Sequence, residues 1–234
     1  ACRALDGQIV GKHQLATESI HLEQNILKET VGSQDQVLAA YGGFNHVIFT
    51  RNGEISVRPI TIPTTRLHDL ESHLMLFYTQ IKRTASSIAT TYTSDKKMQE
   101  NTRNLRIMGQ LVDEAISTLN STEPITHFGE LLHEAWQHKR SLSDKVSNPE
   151  IDNLYEHAME NGAVGGKLLG AGGGGFLLLF VPPEKQRKLI QSMSNVIHVP
   201  FKFDSSGSQI IFYDREQDYH FEEQMRDESS PVAF

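Results

Sequence analysis

One cysteine, Cys2, stands among 234 residues. A lone thiol builds no internal disulfide framework, so stability must come from an apolar core, and a reducing cytoplasm is the expected setting. Long apolar runs are missing too. None approaches the roughly 20 residues of a spanning helix, no signal-peptide pattern is legible at the N-terminus, and no membrane partner is expected. An excess of basic residues is also lacking. The net charge is −7, and the segment from Asp214 onward, with seven acidic and two basic side chains, carries −5 of it. That balance argues against nucleic acid as a partner, and the acidic tail over 214–234 reads as a solvated surface segment. An opening methionine is absent: the chain begins at Ala1 inside what reads as a helix. The expectation is a fragment, or a processed or trimmed polypeptide. Metal-ligand spacing is missing among the eleven histidines. His133-Glu134 and His138 come nearest to H-E-x-x-H, but at i+5 the two imidazoles point about 140° apart around a helix, which excludes a zinc protease.

Glycine, by contrast, is concentrated. Gly165 to Phe176 reads GGKLLGAGGGGF, seven glycines in twelve residues. An ordered glycine run loses much backbone entropy, so it belongs where the chain approaches something closely or turns through positive φ. A helical segment over 148–161 precedes it, and the apolar run Phe176 to Val181 follows as a strand. The predicted order is helix, glycine loop, strand. Gly170, Gly172 and Gly175 satisfy G-x-G-x-x-G, yet a dinucleotide fingerprint needs strand before and helix after. A Walker loop needs Ser or Thr after G-K, and Leu168 follows Gly166-Lys167. Two readings stay open: an anion cradle built from free backbone N–H groups, or a tight connection that only packs closely.

Along the chain, helical spacing covers 12–29 until Gly32 breaks it. Ser33 to Gln36 reads as a capping box opening a short helix that ends at Gly42-Gly43. Two strands, 45–50 and 54–60, flank Asn52-Gly53, a hairpin signal. Pro59 and Pro63 bracket a linker. Beyond it come a strand over 73–79 and a long helix over 99–119 with Leu105, Met108, Val112, Ala115 and Leu119 on one stripe. A helix over 128–138 follows. Asn148-Pro149 then caps a further helix closed by Asn161-Gly162. A helix from Pro182 to about Met193 and two strands over 197–203 and 208–213, paired across 204–207, complete an α+β pattern with an antiparallel sheet.

Several side chains could carry chemistry. Asp35 lies in a helix's first turn, where the macrodipole favours an acid in any case and would also hold a general base ionised. Glu23, twelve residues earlier, reads on its own as an ordinary surface glutamate. Lys167 is either a phosphate contact or a solvated residue before the loop.

These segments resemble the GHMP kinases, the superfamily of galactokinase, homoserine kinase, mevalonate kinase and phosphomevalonate kinase. KLLGAGGGGFLLLF resembles their third motif and is most similar to the sugar-1-kinase branch that contains D-glycero-D-manno-heptose 7-phosphate kinase. VGSQDQVLAAYGGFN, over 31–45, resembles the segment bearing the catalytic aspartate, and IHLEQ the segment bearing a magnesium glutamate. The resemblance implies a GHMP kinase fold: a truncated N-terminal S5-like domain over 1–62 and a C-terminal ferredoxin-like α+β domain over 63–213. It implies ATP and Mg²⁺ as cofactors and a sugar phosphate as partner. Asp35 would be the catalytic base, Glu23 the metal ligand, and Gly170, Ala171, Gly172, Gly173, Gly174 and Gly175 the nucleotide loop. Lys167 and Arg83 would contact the substrate, Arg83 in a basic turn where relatives carry glycine at the position of Gln80. The family's N-terminal substrate motif and its G-L-G-S-S loop are not in this sequence. The isolated chain is therefore expected to bind ATP poorly and to turn over weakly or not at all.

The implied reaction is transfer of the ATP γ-phosphate to the anomeric hydroxyl of a heptose 7-phosphate. The alternatives are a kinase for another sugar such as fucose, or a non-catalytic paralogue that binds a sugar phosphate. A dehydrogenase reading rests on G-x-G-x-x-G alone and predicts nicotinamide binding.

Overall fold

A computed structural model of the chain describes residues 2–81, 95–170 and 172–211. Its centre is a four-stranded antiparallel sheet in the order β4-β5-β3-β6. The strands are β3 (Leu74–Tyr78), β4 (Gly165–Leu168), β5 (Phe176–Phe180) and β6 (Ile197–His198). In β3 the alternation of Met75 and Phe77 with less buried neighbours gives one core face, as a period of two requires. Leu177 and Leu179 of β5 join them, with Trp136, Val146, Ile151, Tyr155 and Leu168. Cutting either leucine to alanine costs about 2–5 kcal/mol on the usual scale for buried leucines.

Helices cover the sheet. They are α4 (Thr64–His73), α5 (Asp95–Asn120), α6 (Thr126–Ser141), α7 (Pro149–Glu160) and α8 (Pro183–Ser192). Helix α6 lies directly on β4, because a Cβ on Gly165 would stand 1.9 Å from the Gly129 carbonyl oxygen. Gly129 must lack a side chain too, since a Cβ there would stand 2.6 Å from Phe180 Cδ1. Asn148 caps α7 as its sequence predicts, its Oδ1 accepting from the Ile151 amide at 3.0 Å with Pro149 at the first position.

The first sixty residues form a smaller layer. Helices α2 (Lys12–His21) and α3 (Gln34–Tyr41), after the short α1 (Cys2–Leu5), pack with the hairpin β1 (Asn45–Phe49) and β2 (Ile55–Pro59) around Ala16, Val37 and Ala40. The hairpin closes as a three-residue loop, Thr50 N donating to Glu54 O at 3.0 Å.

Several expectations need correction. The helix over 12–29 ends early: after His21 the backbone passes into a π turn, Leu22–Ile26. Ser33 stands at the N-cap of α3 but makes no side-chain cap bond. Its hydroxyl accepts from Gln24 Nε2 instead, at 3.1 Å. Residues 64–73, given no structure by the sequence reading, form α4. Its apolar stripe is only Leu67 and Leu70, too thin to announce a helix. On α5 the buried face carries Leu111 and Leu119, while Leu105 and Val112 are 56% and 45% exposed. The glycine segment does not start as a loop. Gly165 to Leu168 pair with Phe180 to Leu177, so the order is helix, strand, glycine loop, strand. Beyond His198 no further strand forms among the described residues. Asp204 to Ser208 instead cover the last carbonyls of α3, which any helix leaves unsatisfied. Ser208 N donates to Ala39 O at 2.9 Å, and Lys12 Nζ donates to Tyr41 O at 2.6 Å and to Ser206 O at 2.7 Å.

Candidate active site

The sequence-predicted residues fall on two elements, the start of α3 and the β4–β5 turn. Asp35 sits exposed in the first turn of α3. Its neighbour Gln36 turns inward and is only 9% exposed. Gln36 Nε2 donates to Glu23 Oε2 at 2.5 Å, which ties the π turn to α3 and brings Glu23 beside the segment bearing Asp35. Gln24 Nε2 donates to Val31 O at 3.0 Å and holds the intervening connection. Gln36 Oε1 is buried without a hydrogen-bond partner.

The glycine loop spans 170–175, since Leu169 N still donates to Phe176 O at 2.8 Å. Gly172 has φ +118, and a Cβ there would stand 2.4 Å from the Val146 carbonyl oxygen. Gly173 N donates to that same oxygen at 2.8 Å, and Gly175 N to Ile81 O at 3.2 Å. Two amides of the expected cradle are therefore spent on backbone carbonyls. Gly170, Gly172 and Gly174 have the amides that these bonds do not use. The loop's carbonyls are held as well. Lys139 Nζ donates to Gly170 O at 2.6 Å, Asn148 Nδ2 to Gly173 O at 3.1 Å, and Thr79 Oγ1 to Gly175 O at 2.8 Å. Three carbonyls clamped in this way leave a loop that needs little reorganisation to offer its remaining amides.

Lys167, on β4, opens onto a cavity of about 490 Å³ between α3, β1, α5 and α6. Gln34, the first residue of α3, lines the same cavity, as do Asn45 and His46. The rest of the wall is largely apolar, with Leu38, Phe44, Leu111 and Phe128 among its members, and among the described residues no carboxylate lines it. Burial there pushes the Lys167 ammonium below its ordinary pKa, because desolvation penalises the charged form. A second cavity of about 440 Å³ lies at the start of α7, beside the glycine loop. Arg140 pairs with Asp152 across it at 3.3 Å, and Ser147 Oγ donates to Asp152 Oδ1 at 2.7 Å.

The structure thus joins Glu23 to the first turn of α3, and Gln34 to Lys167. Among the described residues no hydrogen bond links the glycine loop to Asp35. Ala171, Arg83 and the acidic tail lie outside the described residues. His133 and His138, both on α6, face partners on two other helices: His133 Nδ1 meets the Tyr155 hydroxyl at 2.7 Å and His138 Nδ1 meets Asn104 Oδ1 at 3.0 Å. Sequence reasoning missed Gln36, Lys139 and the second bond of Asn148. Only the place of Lys139 in the last turn of α6, where a cation suits the helix dipole, offered a signal.

Residues 115–198 match the family described as GHMP kinases C terminal. A curated relative, the D-glycero-alpha-D-manno-heptose 7-phosphate kinase of Campylobacter jejuni subsp. jejuni serotype O:2, is 31% identical over 186 residues. The match covers 79% of this chain and 54% of the relative, so the chain spans about half that relative's length. Among solved structures, one from Campylobacter jejuni assigned as a sugar kinase is 30% identical with a TM-score of 0.62, covering 85% of this chain and 56% of that one. The crystal structure of a D-glycero-D-manno-heptose 1-phosphate kinase from Bacteroides thetaiotaomicron, at 23% identity, shares the fold with a TM-score of 0.63 over 86% of this chain and 55% of its own.

Proposed function

The chain carries the C-terminal domain of the GHMP kinases on a GHMP kinase fold, and from that premise we propose that it belongs to an ATP-dependent sugar kinase acting on the anomeric hydroxyl of a heptose 7-phosphate. Residues 1–62 then belong to the N-terminal domain and those from 63 to the C-terminal one. The observation that supports the reading is the shared cleft: Gln34, next to Asp35, and Lys167, three residues before the glycine loop, line one cavity. The chain's similarity to a heptose 7-phosphate kinase supports the choice of acceptor.

Phosphoryl transfer asks for positioning and charge stabilisation more than for covalent chemistry. The sugar hydroxyl oxygen bonds to the γ-phosphorus, the bond from that phosphorus to the β,γ-bridging oxygen breaks, and ADP leaves. Asp35 takes the hydroxyl proton, or orients it, from an exposed first-turn carboxylate. The amides of Gly170, Gly172 and Gly174 face the phosphates, with the loop braced by Lys139 and Asn148. Lys167 supplies a desolvated cation for the sugar phosphate, whose attraction for an anion strengthens in so apolar a wall. Arg83, outside the described residues, is assigned to the substrate by its resemblance to the family's basic turn alone.

Magnesium fits the oxygen donors present. Glu23 is a carboxylate fixed by its bond to Gln36, the residue that follows the exposed acid Asp35. Mg²⁺ takes one or two carboxylates with phosphate oxygens and water. When bound, it neutralises charge developing on the phosphates. The G-L-G-S-S loop is not among these 234 residues, so phosphoryl transfer by the isolated chain is weak or absent.

The test is Asp35→Asn in the full protein, followed by ADP release with heptose 7-phosphate as acceptor. Turnover should fall by about 10²–10⁴, with ATP binding by calorimetry unchanged. Turnover at the wild-type level would remove Asp35 from the chemistry.

A further inference from the structure

We infer that Gln36 is a positioning residue: it sets the orientation of the Glu23 carboxylate and, through it, the affinity of the site for its divalent cation. The inference rests on the kinase reading above. Three observations carry it. Gln36 Nε2 reaches Glu23 Oε2 at 2.5 Å across thirteen residues of sequence, and a hydrogen bond to an ionised acceptor is about twice as strong as a neutral one. Gln36 is buried, yet its Oε1 finds no partner. A position serving packing alone would take leucine or methionine, because a half-satisfied buried amide destabilises the fold by about 1–3 kcal/mol. The backbone under Glu23 is a π turn, Leu22–Ile26, closed by Leu27 N donating to Leu22 O at 2.9 Å. Such turns recur at functional sites because they re-aim side chains.

The chemistry of the donor matters. Lysine or arginine at position 36 would neutralise Glu23, and glutamate would repel it. An amide orients the carboxylate and leaves its charge available to a cation. Both Oε1 of Glu23 and the unpartnered Oε1 of Gln36 belong to head groups joined by that one bond. Asp35, the adjacent residue, is exposed. One turn of α3 thus holds a free acid and, beside it, the group that steers a second acid.

The experiment uses the full protein with Gln36→Met, which keeps the length and removes the donor, and Gln36→Asn, which keeps the amide but shortens its reach. Binding of Mn²⁺ in the presence of ATP is followed by electron paramagnetic resonance, alongside the Mg²⁺ dependence of turnover. Each variant should weaken Mn²⁺ binding, and raise the Mg²⁺ needed for half-maximal rate, by about tenfold or more, the usual effect of losing an outer-shell partner. KM for the sugar phosphate should stay within about twofold, which a merely disordered site would not allow. Unchanged Mn²⁺ affinity in a variant that folds, whatever happens to kcat, overturns the role of Gln36. Unchanged Mn²⁺ affinity in Glu23→Gln overturns it as well, since Gln36 acts only through Glu23. If the wild type transfers phosphate while these affinities do not move, the kinase reading stands and this inference falls. If the wild type transfers none, both fall.

Discussion

Replacing Gly172 by alanine adds one methyl group where the loop leaves no room for it. The backbone there has φ +118, and the new Cβ would stand 2.4 Å from Val146 O and 2.7 Å from Val146 Cα. Both are backbone atoms, so relief requires moving the chain that also accepts the Gly173 amide. The conformation alone costs an L-residue about 1–3 kcal/mol, and overpacking a tight contact costs about 1–3 kcal/mol more. The sum is roughly 2–6 kcal/mol, which for a chain of this size lowers the melting temperature by roughly 4–24 °C. Gly109→Ala is the matched control. Gly109 is exposed on α5 with nothing within 4 Å of its added Cβ, so helix propensity should stabilise the protein by about 0.8–1.0 kcal/mol. Differential scanning calorimetry on the three proteins reads both signs at once. A Gly172→Ala variant melting within about 2 °C of wild type, on the same scale, would refute the close-approach argument. So would a Gly109→Ala variant that melts lower.

Lys167 offers a pH test. Burial holds its folded pKa below the ordinary 10.5, so between the two values the unfolded chain binds more protons and stability rises with pH. Below that window the buried ammonium destabilises the fold in full. Lys167→Met should therefore melt higher than wild type at pH 7, with the difference shrinking as pH climbs toward 10.5; a lower melting temperature at pH 7 would sink the burial account. Asn148→Ala removes the cap to Ile151 N and the bond to Gly173 O together. Urea unfolding should show a loss of about 1–2 kcal/mol, and a nucleotide-binding loop braced by that side chain should bind ATP more weakly. Full stability in the alanine variant would show that the cap contributes nothing.

Local chemistry made much of this protein legible. Asn148-Pro149 names a helix start because a side-chain oxygen and a missing amide suit that position wherever it occurs. Asn52-Gly53 names a hairpin, and GGKLLGAGGGGF names a tight, amide-rich segment and with it a family. Each of these signals depends on residues within a few positions of one another. What the folded chain decided is non-local. Gly165 to Leu168 became a strand because β5 offered a partner and Gly129 let α6 settle on it. The amides of Gly173 and Gly175 were taken by Val146 and Ile81, residues distant in sequence. The capping box at Ser33 does not form: its hydroxyl accepts from Gln24, and the Gln36 amide turns inward and donates to a carboxylate thirteen residues away. A hydrogen-bond donor's choice among acceptors depends on distance and charge in three dimensions, and one-dimensional spacing carries neither.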